Sequence, residues 1–269
     1  MLNPAEFVES YCGVGEKKCA AGVGKLLVLS ILAGFFIAMG GAVTNTAAHA
    51  LENPSVIKIV CGLLFPFGLI MVILTGAELF TGNCLLAIPL LERRVRTGAA
   101  VRNLVLVYAG NAVGALAAAA GCVWGGQLNL SGGALAVYTI RLAANKCALS
   151  FPAALILGIL CNVLVCTAVM CALCAKDVAG RAVGAFIPVC FFVLAGFEHC
   201  VANLYYVPAG LLALTVPRYA ELAASAGVDC SALSWGSFLV NNLLPVTLGN
   251  LLGGLGFGAL VWAGHRKLK

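Results

Sequence analysis

Six stretches of this chain are apolar over lengths sufficient to cross a bilayer, and no other feature limits the possible fold so strongly. They run over about 24–48, 55–75, 101–123, 150–174, 182–214 and 236–264. A spanning helix needs about 20 predominantly apolar residues. Hydrocarbon offers backbone N–H and C=O groups no partner, so such segments close their hydrogen bonds internally as helices. The rest of the chain cannot offset them: among 269 residues there are 16 basic and 10 acidic side chains, and 62% of residues are hydrophobic. A soluble domain carries about 25% charged residues. A soluble enzyme, a disordered chain and a nucleic-acid partner are thereby excluded, and an all-α integral membrane protein in a lipid bilayer is expected. The 32 glycines fit that class, because small residues let helices approach closely in lipid.

Residues 1–23 read as a cytoplasmic N-terminal segment. Glu6, Glu9, Glu16, Lys17 and Lys18 leave no apolar run of signal-peptide length before Gly22, so the first span is expected to direct insertion. Phe7, Val8 and Tyr11 offer an apolar face for a helix lying on the membrane surface. Basic residues set the orientation. With six transmembrane helices and both termini cytoplasmic, twelve basic residues fall inside, among them Arg93, Arg94, Arg96 and Arg102. Four fall outside: Lys58, Arg141, Lys146 and Arg218. The chain is expected in the cell (plasma) membrane, with a pore domain over 24–264 and a cytoplasmic tail over 265–269. The net charge of +6 is then a topology signal.

The second and fifth segments are abnormally long, the second running on to about residue 91, and each holds a glutamate. Residues 76–83 read GAELFTGN and residues 196–203 read GFEHCVAN, sharing G-x-E-x-x-x-x-N at an offset of 120. Gly76, Glu78 and Asn83 are answered by Gly196, Glu198 and Asn203. A second echo pairs Gly110, Asn111 and Gly114 with Gly249, Asn250 and Gly253 at an offset of 139. The halves, about 24–140 and 141–264, hold spans one to three and four to six. Three is odd, so the second half enters from the opposite side, giving an inverted repeat about an axis in the membrane plane. An ionisable group inside a span costs about 2.5–3.5 kcal/mol on insertion scales and so faces the protein interior. Glu78 and Glu198, with Asn83 and Asn203, are expected to support breaks in the second and fifth spans. Each carboxylate would accept from the free N–H groups that begin the following half-helix. Asn111 reads as a hydrogen bond between helices.

Four segments together resemble the formate/nitrite transporter family: AELFTGN (77–83), GILCNVLVC (158–166), GFEHCVANLYYVPAG (196–210) and NNLLPVTLGNLLGG (241–254). They lie in order in four of the six spans, so the resemblance extends over essentially the whole chain. Aquaporins share the inverted-repeat design, but their paired Asn-Pro-Ala signature is absent. The resemblance implies an aquaporin-like subunit of a homopentamer, with one pore per protomer passing small monovalent anions of weak acids. It also implies a loop at the second-span break carrying Leu79, Phe80 and Thr81, and constriction residues at Phe65, Leu69 and Phe192. His199 is the implied pore histidine, Lys146 the implied lysine ahead of the fourth span, and Asn162 and Asn250 the implied pore asparagines.

A small anion loses its hydration at large cost in a dry constriction. Formic acid, nitrous acid and hydrogen sulfide are neutral once protonated, which removes that penalty. Phe65, Leu69, Leu79, Phe80 and Phe192 would form two dry rings around Thr81 and His199, where the anion takes a proton from His199 or from bulk water. Lys146 would draw anions into the outer vestibule, and Glu198 would orient the backbone or raise the proton affinity of His199. Formate is the favoured substrate, with nitrite and hydrosulfide as alternatives. Two other classes stand beside this one: a channel for water or glycerol, and a membrane redox or metal protein using the thirteen cysteines. The only Cys-x-x-Cys is Cys171–Cys174 and the three histidines lie far apart, so no metal, cofactor or enzymatic activity is expected.

Overall fold

A computed structural model describes residues 1–266; of the expected tail 265–269, residues 267–269 lie outside the described residues. Six helices are long and apolar enough to span: α2 (Val23–Ala48), α3 (Pro54–Thr75), α5 (Thr97–Trp124), α7 (Phe151–Cys174), α8 (Val178–Ala195) and α11 (Trp235–His265). They match the six expected segments. Four shorter helices follow or link them: α4 (Phe80–Leu91), α6 (Ala134–Cys147), α9 (Cys200–Ala213) and α10 (Pro217–Ser225). The second and fifth spans are indeed broken, between α3 and α4 and between α8 and α9.

The first helix, α1 (Pro4–Ala20), starts in a capping box. The Asn3 side chain accepts from the Glu6 N–H, and the Glu6 carboxylate accepts from the Asn3 N–H. Phe7, Val8 and Tyr11 are buried against the bundle, so protein fills the apolar face that the sequence offers to lipid. Arg94 pins the opposite side by pairing with Glu9 and Glu16.

Two helix pairs form the scaffold, α2 with α5 and α7 with α11, one in each half. Glycine permits both approaches. A Cβ on Gly114 would run into the backbone carbonyl of Ile31, and one on Gly249 into that of Leu155. These glycines belong to the second echo in the sequence, so the repeat marks helix contacts as well as breaks. At the start of α11 the chain makes a π-helical stretch over Phe238–Leu243, just ahead of Pro245. Proline removes a backbone donor, and the wider turn carries Asn242 fully into the interior.

Because backbone atoms, and not flexible side chains, fill the space beside these glycines, Gly114→Val and Gly249→Val should each destabilise the protein by about 1–3 kcal/mol, as overpacking does. Melting in detergent measures this. Gly24→Ala, whose Cβ meets nothing within 4 Å, should hold the melting temperature or raise it.

Candidate functional site

At both breaks the outgoing helix ends on a left-handed glycine, Gly76 at φ 70° and Gly196 at φ 74°. The next N–H reaches back to close the helix: Ala77 to the Val72 carbonyl at 3.0 Å and Phe197 to the Phe192 carbonyl at 3.0 Å. Glu78 N–H then donates to the Leu29 carbonyl of α2, and Glu198 N–H to the Leu157 carbonyl of α7. The short helices α4 and α9 begin beyond.

Asparagine, and not glutamate, caps the new helices. Asn111 Oδ1 accepts from Phe80 N–H at 2.9 Å, while its Nδ2 donates to the Ser30 and Glu78 carbonyls. Asn250 Oδ1 accepts from Cys200 N–H at 2.8 Å, while its Nδ2 donates to the Gly158 and Glu198 carbonyls. This corrects the expectation that the Glu78 and Glu198 carboxylates take those N–H groups. Each carboxylate turns the other way, into a charged cluster.

Lys18 Nζ meets Glu78 Oε2 at 2.7 Å, and Lys146 Nζ meets Glu198 Oε1 at 2.8 Å. Asn83 Nδ2 donates to Glu78 at 2.7 Å and Asn203 Nδ2 to Glu198 at 2.7 Å. The same two amide groups also donate to Asn103 Oδ1 and to Asn242 Oδ1. Asn103 and Asn242 close the circuit by donating to the Lys18 and Lys146 carbonyls. The inverted repeat thus reaches side chain by side chain across the molecule and takes in α1, whose Lys18 matches Lys146 of α6.

Two cavities open from opposite ends. One, of about 390 Å³ and on the side expected to face outward, is lined by Lys58, Phe65, Lys146, Phe192, Glu198 and His199 among others. The other, of about 340 Å³ and on the side of α1, is lined by Tyr11, Lys18, Lys25, Leu69, Glu78 and Leu79 among others. They share no lining residue. Phe65 and Phe192 meet edge to face at 5.9 Å, and Phe192 stacks on His199 at 6.0 Å. Thr81, fully buried, joins the two halves through a 2.9 Å hydrogen bond between its hydroxyl and His199 Nε2.

The histidine tautomer follows from its other nitrogen. His199 Nδ1 accepts from the Ala202 N–H at 3.1 Å, capping α9. A backbone N–H can only donate, so the ring proton sits on Nε2 and points at Thr81. Glu198 makes no hydrogen bond with this ring; its carboxylate is engaged by Lys146, Asn203 and Asn242.

Other candidates stand apart from the cavities. Phe80 packs its ring on Tyr108 at 4.7 Å and lines neither vestibule. Asn162 donates to the Thr81 and Asn250 carbonyls and, like Asn250, is fully buried in the scaffold. Lys18, Asn103 and Asn242 escape the sequence reading. The last two carried a signal, since N-x₆-G-N-x₂-G recurs as Asn103–Gly110–Asn111–Gly114 and Asn242–Gly249–Asn250–Gly253. Lys18 lies 60 residues before its glutamate and Lys146 only 52, so no fixed offset exposes that pair.

Fold and site together define a multi-pass membrane protein of aquaporin-like, inverted-repeat design. The formate/nitrite transporter family model matches residues 5–264. A probable formate transporter of Methanothermobacter thermautotrophicus is 35% identical over 98% of this chain and 97% of its own length. Formate channel FocA of Haemophilus influenzae is 36% identical over 78% of this chain and 75% of its own. A solved pentameric formate channel with formate bound superposes with a TM-score of 0.80 at 32% identity, over 91% of this chain and 98% of that one. The chain belongs to the formate/nitrite transporter family.

Both ion pairs are largely withdrawn from solvent, with side-chain exposures of 19% and 11% for Lys18–Glu78 and 13% and 7% for Lys146–Glu198. Removing one partner strands a buried charge, so Lys146→Met should destabilise by about 3–5 kcal/mol, and the double change with Glu198→Gln should recover most of it. A double-mutant cycle read by thermal unfolding in detergent checks the coupling; additive losses would show that the pair is not coupled.

Proposed function

We propose that the chain is a channel for small monovalent anions of weak acids, formate foremost, assembled as a homopentamer with a pore through each protomer and both termini cytoplasmic. Nitrite and hydrosulfide are the alternative substrates within the same reading. The observation that carries it is the Thr81–His199 hydrogen bond, set in a dry septum between two lysine-bearing vestibules. The formate-named relatives and the formate-bound pentamer support the choice of substrate and assembly.

On this reading an anion enters a vestibule, takes a proton from water there, and passes the septum as the neutral acid. Phe65 and Phe192 form the outer dry ring, and Leu69 and Leu79 the inner one. Between them α4 and α9 begin back to back, so the positive ends of both helices face the centre and favour a partly charged, polarised solute. Thr81 accepts from His199 Nε2–H and keeps its own hydroxyl hydrogen free to donate to the passing acid.

His199 serves this scheme as a fixed donor, with the transferred proton coming from bulk. Supplying a proton would require the imidazolium, and protonating Nδ1 breaks the bond that caps α9. His199→Gln should therefore lower flux by about tenfold, the rate equivalent of one hydrogen bond, while the rise of flux with falling pH persists. If the pH dependence flattens, His199 is the proton source and the scheme is wrong. In proteoliposomes, formate, nitrite and hydrosulfide should permeate and chloride, the anion of a strong acid, should not. Glycerol permeation without anion flux would overturn the function and leave the fold standing.

A further inference from the structure

The two lysines buried beside the glutamates cannot be the whole source of attraction for anions, because each is already matched by a carboxylate. Lys146 pairs with Glu198 at 2.8 Å, and its ammonium stands 5.4 Å from the centre of the Tyr206 ring. A formally neutral pair contributes little field a few ångströms away. One other cation lines the same cavity, Lys58 of α3. It is exposed and forms no hydrogen bond or ion pair with any described residue. Its Nζ stands over the left-handed Gly196 at the end of α8, where a Cβ would come within 2.8 Å of it. The negative pole of α8 explains why the ammonium rests there, directly over the break and in the cavity that ends at His199.

We infer that Lys58 supplies the uncompensated charge of the outer vestibule and sets the apparent affinity of the channel for anions arriving from that side. The inference rests on the proposed function and adds a recruiting residue to it. The vestibule holds Lys58, Lys146 and Glu198 as its charged lining residues, so its net charge of one is the charge of Lys58. The inner vestibule repeats the logic with other residues: Lys18 is paired with Glu78, while Lys17 and Lys25 line the cavity without a carboxylate partner among the described residues. Recruitment is thus sided, and Lys58 governs one side only.

The test uses membrane vesicles of one orientation holding the full chain, with labelled formate uptake and efflux measured for wild type, Lys58→Gln, Lys58→Glu and Lys58→Arg. A unit charge about 8 Å from a passing anion in a water-like dielectric changes its local occupancy by about twofold. At an ionic strength of about 0.01 M, where screening reaches about 30 Å, Lys58→Gln should raise KM from the outer side about twofold and Lys58→Glu about fivefold. Lys58→Arg should retain the wild-type KM. At about 1 M salt the curves should converge, because screening then acts over about 3 Å. KM from the inner side should not move in any variant. A KM unchanged by Lys58→Glu, or a fall in limiting rate shared by both directions, overturns the inference while leaving the channel reading intact. Absence of formate flux in wild type overturns the reading and the inference with it.

Discussion

A helix that stops inside a bilayer leaves backbone donors and acceptors that nothing in hydrocarbon can satisfy, and the rest of this structure is arranged around meeting that demand twice. Glycine in the left-handed conformation lets each outgoing helix close on itself. One asparagine from the third span of each half then spans the gap. Asn111 and Asn250 each accept one helix-starting N–H and donate to two carbonyls, using an amide whose donor and acceptor ends match the two ends of a broken strand of backbone. Glycines pack the helix pairs closely enough for these short side chains to reach. The close packing and the break are therefore one device, and a larger residue at Gly110 or Gly249 would move the asparagine beside it.

The same symmetry makes the departures informative. His199 corresponds by offset to Leu79, and Thr81 to Val201, so the side-chain hydrogen bond between Thr81 and His199 joins non-equivalent positions. The charged clusters also differ in two bonds: Asn242 Nδ2 donates to Glu198 where Asn103 makes no such bond to Glu78, and the lysines differ in reach. Lys18 donates to both Glu78 and Asn83, whereas Lys146 donates to Glu198 and leaves Asn203 Oδ1 without a partner among the described residues. Scaffold positions keep the repeat because both breaks pose the same backbone problem. On the proposed function, Thr81 and His199 leave it because a solute crosses one septum, which needs one donor chain.

Legibility followed the same division. The six spans, the broken second and fifth elements, and the paired Gly-x-Glu segments could be read because composition and a fixed offset expose them. The capping role could not. Asn111 was legible as a hydrogen bond between helices, but which N–H it accepts depends on how the chain folds back between Gly76 and Phe80, and carboxylates seemed the natural partners for helix starts. Lys18 was hidden for another reason. It sits in a charged, terminal helix that reads as a surface element, and only packing of Phe7, Val8 and Tyr11 under the bundle carries it to Glu78. Phe80 was placed in the constriction by the family resemblance, yet its ring packs on Tyr108.

How fully the centre is satisfied bears on what can cross it. The buried side-chain polar atoms without a partner among the described residues are Gln127 Oε1, Asn203 Oδ1 and Tyr205 Oη, and none belongs to Thr81 or His199. The partly buried cations Lys18 and Lys146 are held by carboxylates, Asn111 takes the Phe80 N–H at one helix start, and Asn250 and His199 take the Cys200 and Ala202 N–H groups at the other. The septum therefore holds no free side-chain charge with which to replace a hydration shell. An ion entering it would face a desolvation penalty that no charged side chain there offsets. A neutral acid exchanges one or two hydrogen bonds with water for one with Thr81, at about 1–3 kcal/mol if a bond is lost. On the proposed function, selectivity against permanent anions thus comes from what the scaffold has already consumed. In the same proposal, lysine at each mouth raises the local concentration of the anion, and the septum admits only the form that has surrendered its charge.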